Sequence, residues 1–314
     1  MTAKIFAKGL LSFVPGLHRA FADAGAGTAS ADYCYGVWMK HITLLWQHGM
    51  RSMPGSVLEL GPGDSIGTGL AALLCGVERY TGVDAVAFAS SRANIAVFRE
   101  LTYLLQRRAP RPVAGFPPFD AYLDERLFPS HVLDEQRLAA SLAPARLARL
   151  EHAVHALGTP SADLPIRYFT WDRPEAIGAG SVDLVFSHVV LNHVDDLEGL
   201  YADCARWVRP GGWMSHQIDF TSLETTPEWN GHRRYGELAW KVISGRRRYF
   251  VNREVLTTHL RIMSRHGFDV VHVIRGLRQG GLTRAQLAPR WRQCSDEDLA
   301  TQTGFVIARR RGSA

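Results

Sequence analysis

Residues 57–65 read VLELGPGDS, and this stretch decides the fold. It joins a mostly apolar run to a glycine turn at Gly61 and Gly63. After the turn, apolar residues recur at helical spacing from Ile66 to Leu74. A strand, a glycine turn and a helix in this order let backbone amides approach a ligand closely at the start of the helix. The stretch therefore predicts a ligand site at the end of a strand.

Outward from this stretch, short β-branched runs alternate with helical patterns. Strands are predicted at about residues 56–60, 79–84, 165–170, 182–187, 213–220, 269–273 and 304–309. Strands that alternate with helices form parallel βαβ units, so the fold class is α/β with a doubly wound sheet. The ligand crevice of such a sheet lies at the carboxyl ends of its strands. The active site is therefore expected just after strands one to five.

Three segments do not fit this alternation: residues 1–54, about 108–160 and about 221–252. The first carries an apolar helical stripe from Tyr33 to Trp46, and we expect an N-terminal helical segment that closes the pocket. The other two are predicted to be helical caps inserted into a domain at 55–314. Caps of this kind shape a substrate pocket and exclude water from it.

Composition narrows the class of protein. Of 314 residues, 46% are hydrophobic and 21% are charged, which excludes disordered and fibrous chains. The net charge of +6 suits nucleic acid and a small anion equally. Four cysteines lie far apart without a C-x-x-C pair, so a reducing cytoplasm is the expected location. No run of apolar residues is long enough for a membrane span, and stable membrane insertion is not expected.

A carboxylate follows the glycine turn at a sequence separation that is typical of nucleoside-binding sites. Asp84 lies at the end of the second predicted strand, about twenty residues after Gly63. From this position a carboxylate can accept both hydroxyls of a ribose. The sequence therefore predicts a cofactor that contains a nucleoside.

Further motifs follow in order along the chain. They are Glu59-Leu60-Gly61-Pro62-Gly63, Asp84, Trp171-Asp172, VDLVFSH at residues 182–188, and Arg209-Pro210-Gly211-Gly212. Together they resemble the motif series of class I S-adenosylmethionine (SAM)-dependent methyltransferases over residues 57–220. Residues 230–253 are similar to an extended bacterial branch with helical insertions. One departure is Ser65, which replaces the third glycine of the usual turn.

The resemblance implies a Rossmann-like methyltransferase fold, with a seven-stranded and mostly parallel sheet. It also implies SAM as the cofactor. Residues expected to bind it are Glu59, Gly61, Pro62, Gly63, Asp84, Asp172 and Ser187. Among these, Asp84 would hold the ribose hydroxyls and Asp172 the adenine amino group, while Ser187 would lie beside the sulfonium.

Three histidines are candidate catalytic bases: His188, His193 and His216. A hydroxyl that accepts a methyl group must lose its proton, and imidazole has a suitable pKa for taking it. We rank His188 first because it directly follows the fourth strand. No metal site is expected, since His152 and His155 lack a third ligand of suitable spacing.

The acceptor is expected to be a small hydroxylated molecule, such as a sugar, a glycan or secondary-metabolite intermediate, or a phosphate-bearing compound. Nucleic acid is not expected, because the net charge is modest and residues 187–190 (SHVV) replace the Asn-Pro-Pro-Tyr type of signature. The sequence leaves the oligomeric state open.

Three alternatives compete with this interpretation. Residues 63–66 (GDSI) and 269–272 (DVVH) match a GDSL-type esterase with Ser65 as nucleophile, His272 as base and Asp269 as orienting acid. A nicotinamide-dependent dehydrogenase needs a glycine where Ile66 stands. A cofactor-binding scaffold without turnover is the third, since binding motifs do not prove catalysis.

Overall fold

The computed structural model describes residues 6, 28, 30–86, 89, 91–112, 123, 127–159, 163–172, 174–223, 225–247 and 250–312 of the 314-residue chain. Most of the predicted N-terminal segment before residue 30 lies outside the described residues. The same holds for part of the predicted cap at 108–160.

A seven-stranded sheet forms the centre of the molecule. Its strands are β1 (Ser56–Leu60), β2 (Arg79–Asp84), β3 (Ile166–Thr170), β4 (Val182–His188), β5 (Val208–Asp219), β6 (Phe268–Leu277) and β7 (Thr301–Arg310). Their order across the sheet is β3-β2-β1-β4-β5-β7-β6. The pairs from β3 to β5 are parallel, and β7 runs antiparallel to both of its neighbours. The predicted doubly wound, mostly parallel sheet of seven strands is therefore confirmed.

Helices flank the sheet and connect its strands. They are α1 (Ala31–Gln47), α2 (Gly67–Leu74), α3 (Ser91–Gln106), α4 (Glu135–Ser141), α5 (Pro144–His155), α6 (Leu197–Trp207), α7 (Glu237–Ser244), α8 (Leu256–Arg265) and α9 (Asp296–Ala300). Within the described ranges, no helix has both the length and the apolar character that a bilayer crossing requires.

The sheet buries two faces, and alternate residues of each strand point to opposite faces. We call the face covered by α1, α2 and α3 the front face, and the face covered by α6 and α8 the back face. In β4, Leu184 and Phe186 pack on the front face, whereas Val185 packs on the back face. This alternation decides which polar residues at the strand ends can meet.

Helix α1 lies over the middle of the front face. The rings of Trp38 and His41 lie 5.8 Å and 5.3 Å from the ring of Phe186 on β4, centroid to centroid. His41 is also 5.0 Å from the ring of Phe305 on β7. The apolar stripe found in the sequence is thus buried against the centre of the sheet, and not against its edge.

Strand β5 begins earlier than the sequence predicts. The sequence predicted a start at Trp213, because Pro210 and Gly211 are residues that usually end an element. In the structure Val208 already pairs with Val182, and the register shifts before Leu184. Gly211 has a φ of 76°, so a glycine in a bulge carries the chain through this point.

The two later insertions pack at different places. In the described part of 108–160, α5 is joined to α3 by an ion pair of 2.9 Å between Arg99 and Glu151. Arg146 of α5 donates hydrogen bonds to the carbonyls of Leu73 and Val77, at the end of α2 that is farther from the glycine turn. The insertion at 221–252 contains α7 and lies after the carboxyl end of β5.

Candidate active site

The glycine turn joins β1 to α2 and depends on two left-handed glycines. Gly61 and Gly63 have φ values of 67° and 76°. A Cβ atom on Gly61 would lie 2.6 Å from a methyl carbon of Val190, which is closer than van der Waals contact permits. The Gly61 amide donates to the carbonyl of Val83 over 2.8 Å, so the turn is fixed to the end of β2.

Asp84 lies against this turn. Its Oδ2 accepts a hydrogen bond of 2.8 Å from the amide of Gly63, and its Oδ1 accepts one of 2.7 Å from Ala85. Burial raises the pKa of the Asp84 carboxyl, while these backbone donors act in the opposite direction. The structure brings together the glycine turn and the carboxylate that the sequence singled out.

Glu59 lies beneath the turn, inside the core of the front face. The hydroxyl of Tyr80 donates to its Oε2 over 2.6 Å, and Thr68 and Gly69 also hydrogen-bond its carboxyl. Burial raises the pKa of Glu59 to about 8. Pro62 is buried beside it in the turn. Glu59 therefore connects β1 to the first turn of α2 from within the core.

Asp172 follows β3, the neighbour of β2. It is exposed, and its Oδ1 accepts a hydrogen bond of 2.5 Å from the hydroxyl of Thr170. The preceding residue, Trp171, donates its amide to the carbonyl of Asp84 over 2.8 Å. The predicted ribose and adenine contacts thus lie at adjacent strand ends.

Ser187 and His216 face each other on the back face of β4 and β5. Ser187 Oγ lies 2.8 Å from His216 Nδ1, and both residues are fully buried. The His216 ring is 6.3 Å from that of Tyr201 on α6, and burial lowers its pKa to about 3. His216 is thus a neutral imidazole in the core, remote from the front face.

His188 is the next residue of β4 and therefore points to the front face. Its Nδ1 lies 3.4 Å from Nε2 of His41 on α1. Nδ1 of His41 lies 2.7 Å from the hydroxyl of Ser215 on β5. Burial, with the charges that His188 and Lys40 can carry, lowers the pKa of His41 well below its usual value. His188 is half-buried, so one end of this chain of polar groups reaches the surface of the crevice.

His41 is a candidate functional residue that was not predicted from the sequence. The signal was a histidine inside an apolar helical stripe, next to a second buried polar residue, Lys40. Lys40 donates from Nζ to Oε1 of Gln217 over 2.5 Å, and burial lowers its pKa well below the usual range. The front face of β4 and β5 therefore carries a polar network under α1.

The backbone after His188 is strained. Val189 has a φ of 58°, a conformation that β-branched residues rarely adopt. Its amide donates to the carbonyl of Gln217 over 2.8 Å. This bend sets Val190 against Gly61, so the end of β4 and the glycine turn are in direct contact. Backbone strain of this kind clusters at functional sites.

His193 lies in the 3₁₀ turn Leu191–His193 that follows the bend. Its Nε2 is 3.2 Å from Nδ2 of the neighbouring Asn192. His188, His193 and His216 therefore do not form one cluster: the first faces α1, the second lies on a turn, and the third is in the back core.

The esterase triad is not assembled. Ser65 is buried, and its hydroxyl donates to the carbonyl of Thr28. His272 lies on β6 at one edge of the sheet, where its ring stacks on that of His48 at 3.6 Å. Three strands separate β6 from β1, which corresponds to roughly 19 Å. The prediction that Ser65, Asp269 and His272 could act together is wrong.

The chemistry of the site residues is compatible with a cofactor that contains adenosine. Gly61 and Gly63 carry no side chains, so none occupies the space at the turn beside Val190. The carboxylate of Asp84 accepts backbone amides from Gly63, Ala85 and Val86, and an ionised carboxylate has about four acceptor positions, so it can still accept a hydrogen bond from a hydroxyl. Among the described residues, no group of three or more His, Cys, Asp or Glu side chains is arranged to hold a metal ion.

A known family model matches part of this chain. Residues 141–215 match the family described as "Methyltransferase domain". The match covers about a quarter of the chain, and it agrees with the resemblance of the sequence motifs to class I SAM-dependent methyltransferases. The matched domain indicates an enzyme that transfers methyl groups, and S-adenosylmethionine is the cofactor that the sequence motifs imply. No curated protein sequence matches the chain.

Several solved structures are similar to this chain. A SAM-dependent methyltransferase from Mesorhizobium loti has 16% identity and a TM-score of 0.43, and the match covers 86% of this chain and 98% of that one. Phosphoethanolamine N-methyltransferase 2 from Haemonchus contortus has 15% identity and a TM-score of 0.43, with 94% and 60% covered. Geranyl diphosphate C-methyltransferase from Streptomyces coelicolor A3(2) has 11% identity and a TM-score of 0.43, with 88% and 78% covered.

Proposed function

We propose that this enzyme transfers a methyl group to a hydroxyl oxygen of a small acceptor, such as a sugar or a phosphate-bearing intermediate. The observation that carries the proposal is the pair His188–His41, placed next to the glycine turn through Val190. A hydroxyl nucleophile must lose a proton during transfer, and a half-buried imidazole beside the cofactor site is suited to take it.

When bound, the cofactor supplies a methyl carbon that its sulfonium already activates. The protein then has to hold two molecules in line, because positioning provides most of the rate in such a transfer. We assign Gly61 and Gly63 to close backbone contact with the cofactor, and Asp84 to its ribose hydroxyls. Asp172 is assigned to the adenine end. Glu59, Pro62 and Ser187 support these contacts from the core.

His41 orients His188 as the base. If Nδ1–H of His41 donates to Ser215 Oγ, then Nε2 of His41 accepts the proton of His188 Nδ1. In this tautomer the lone pair of His188 is on Nε2, the atom that would take the proton of the acceptor hydroxyl. Because burial keeps His41 neutral, the network fixes the tautomer of His188 without adding a charge. His193 and His216 are assigned no proton transfer.

The direct test uses SAM with an isotopically labelled methyl group. The protein is incubated with a panel of hydroxylated small molecules, and mass spectrometry detects compounds that gain one labelled methyl. We expect the label on an oxygen. With that acceptor, His188→Ala should lower kcat by about 10²- to 10⁴-fold, while the affinity for S-adenosylhomocysteine stays unchanged.

Two matched variants sharpen this test. His41→Ala should also lower kcat, whereas His41→Gln should retain more activity, because its amide oxygen can still accept from His188. His155→Ala, an exposed histidine on α5, is the control and should behave as the parent. A label found only on nitrogen or carbon, or full activity of His188→Ala, would contradict the assignment.

A cytoplasmic location is part of the proposal. All four cysteines are free thiols, and Cys34, Cys75 and Cys204 are buried. Free cysteines in this number are typical of a reducing compartment. We also retain a small molecule as the acceptor, in preference to nucleic acid.

A further inference from the structure

A second group of buried charged residues lies outside the site described above. We call it the arginine cluster and define it by His232, Arg233, Arg253, Trp240 and Trp291. Arg233 is fully buried and Arg253 is 2% exposed. The guanidinium of Arg233 lies 5.8 Å from the Trp291 ring centroid, and that of Arg253 lies 4.7 Å from Trp240 and 5.6 Å from Trp291. The His232 ring is 6.3 Å from Trp240.

The two arginines differ in their counter-charges. Arg253 pairs with Glu237 over 2.9 Å and donates to the carbonyl of Tyr235. Among the described residues, Arg233 donates to two backbone carbonyls alone, those of Arg253 at 3.3 Å and Glu254 at 3.0 Å. No carboxylate oxygen in the described part of the chain lies within ion-pair distance of Arg233.

Three carboxylates act on Arg233 from beyond ion-pair distance, and each has other partners. Asp298 pairs with Arg275 over 3.3 Å, and Glu254 pairs with Arg290. The buried Asp219 accepts hydrogen bonds of 2.9 Å and 2.8 Å from the amide and hydroxyl of Thr221. Burial lowers the pKa of Arg233 only to about 10, so the side chain remains charged at neutral pH. A buried charge without a paired anion is costly to a folded protein.

Several nitrogens of the cluster also have no hydrogen-bond partner within the part of the chain that the structure describes. They are Nδ1 and Nε2 of His232, Nη1 of Arg233, Nε of Arg253 and Nε1 of Trp291. Buried polar atoms are nearly always hydrogen-bonded, so five such atoms in one cluster call for a ligand or ordered water. Three of the five nitrogens, those of the two arginines and of Trp291, are N–H donors. Neutral His232 supplies one further N–H donor and one acceptor nitrogen. The group that satisfies them is therefore rich in acceptor oxygens.

The cluster borders the proposed methyl-transfer site. Asn252, which precedes Arg253, donates its amide to the carbonyl of Asn192 over 2.8 Å. Its side chain donates to the carbonyls of Leu191 and Val194 over 2.7 Å and 2.8 Å. These carbonyls belong to the turn just after His188 and Val189. The cluster and His188 therefore lie at the same carboxyl edge of the sheet.

We propose that the arginine cluster binds an anionic oxygen group, a carboxylate or a phosphate, carried by the methyl acceptor. Arg233 is its main contact, since a guanidinium presents paired donors that match both groups. This inference rests on the proposed function and narrows its acceptor to an anionic molecule. The neighbouring Arg247 differs from Arg233: it is partly buried, and its guanidinium donates to the carbonyls of Ile243 and Ser244 at the end of α7.

The test measures anion binding to protein saturated with S-adenosylhomocysteine. Sodium phosphate and sodium acetate are titrated separately at constant ionic strength, with thermal unfolding and calorimetry as readouts. We expect saturable stabilisation by at least one anion, and the better one indicates the acceptor's group. Arg233→Gln should weaken this binding by about tenfold or more, and Arg233→Lys should weaken it less, because lysine keeps the charge but loses the paired donors.

Arg206→Gln is the matched control. Arg206 is a partly exposed arginine on α6, and its partners, Asp203 at 3.1 Å and the carbonyl of Pro174, do not belong to the cluster. Its removal should leave anion affinity unchanged. Each variant is first checked for S-adenosylhomocysteine binding, which shows that it is folded. If Arg233→Gln fails that check, Arg233→Lys alone decides.

Four outcomes would overturn the inference. The first two are no saturable effect of either anion, and anion binding that Arg233→Gln and Arg233→Lys both retain in full. The others are equal losses in Arg206→Gln and Arg233→Gln, and a high-resolution structure in phosphate or acetate with only ordered water at Arg233. None of these touches the cofactor or His188. Failure of the parent protein to bind S-adenosylhomocysteine would instead defeat the proposed function, so the two failures can be told apart.

Discussion

Buried polar side chains under the glycine turn give this enzyme a pH-dependent stability. Glu59 accepts a hydrogen bond from Tyr80, and burial raises its pKa to about 8. At neutral pH the folded protein therefore keeps a proton on Glu59 that the unfolded chain has lost. The stabilisation is complete below the unfolded pKa and is lost as the pH rises through about 8.

Glu59→Gln should remove this dependence. Glutamine keeps an acceptor oxygen for Tyr80 but carries no charge at any pH. Relative to the parent, its free energy of unfolding should improve by about 1.4 kcal/mol for each pH unit between about pH 5 and about pH 8. Urea unfolding at several pH values measures this difference. Glu151→Gln, on the surface of α5, is the control. If the free energy of unfolding changed with pH in parallel for the parent and Glu59→Gln, the explanation would be refuted.

Single residues also show what the sequence could predict and what it could not. Gly61 and Asp84 were found because their roles depend on local spacing, which a sequence displays. His41 and Arg233 were not, because their significance depends on distant contacts. His41 meets His188 across 147 positions of chain, and the isolation of Arg233 becomes visible only when the surrounding carboxylates are located.

Secondary structure decides which of the polar residues can meet. The sequence placed His216 near strand five but could not decide its face, because a strand alternates between two faces and its register was unknown. Pairing of His216 with Ser187 puts both on the back face, and leaves His188 and Ser215 on the front face under α1. The early start of β5 was missed because Pro210 and Gly211 resemble a stop, although Gly211 forms a bulge.

The contact between the β4 bend and the glycine turn can be tested at Gly61. Gly61→Ala places a methyl group 2.6 Å and 2.8 Å from the two methyl carbons of Val190, at a positive φ. Val190 cannot withdraw easily, because Val189 already holds a strained conformation. We expect a loss of about 1–3 kcal/mol in the free energy of unfolding and weaker S-adenosylhomocysteine binding.

A double-mutant cycle separates the clash from the backbone strain. Val190→Ala in the Gly61→Ala background should recover part of the loss, because it removes both methyl carbons that the new side chain meets. Gly178→Ala is the control, since its Cβ would make only an ordinary contact of 3.5 Å with Ser181. Additive effects of Gly61→Ala and Val190→Ala would mean that the two residues do not interact.

Across the whole molecule, the sheet separates a front crevice from a back core. The crevice edge holds the turn at Gly61, the carboxylate of Asp84 and the half-buried His188, and the arginine cluster borders it beyond β5. The match to a methyltransferase domain covers residues 141–215, whereas the glycine turn and Asp84 lie before it. Two separate stretches of chain therefore have to fold into one site.

Calorimetric titration of S-adenosylhomocysteine into the parent, Asp84→Ala and Asp203→Ala proteins tests this claim most directly. Asp203 forms a surface pair with Arg206 on α6, and its loss should change little. We predict binding by the parent and by Asp203→Ala, and binding by Asp84→Ala that is weaker by about 10- to 100-fold, because hydrogen bonds to a charged group are lost. Equal affinity in all three proteins, with Asp84→Ala still folded, would contradict the account.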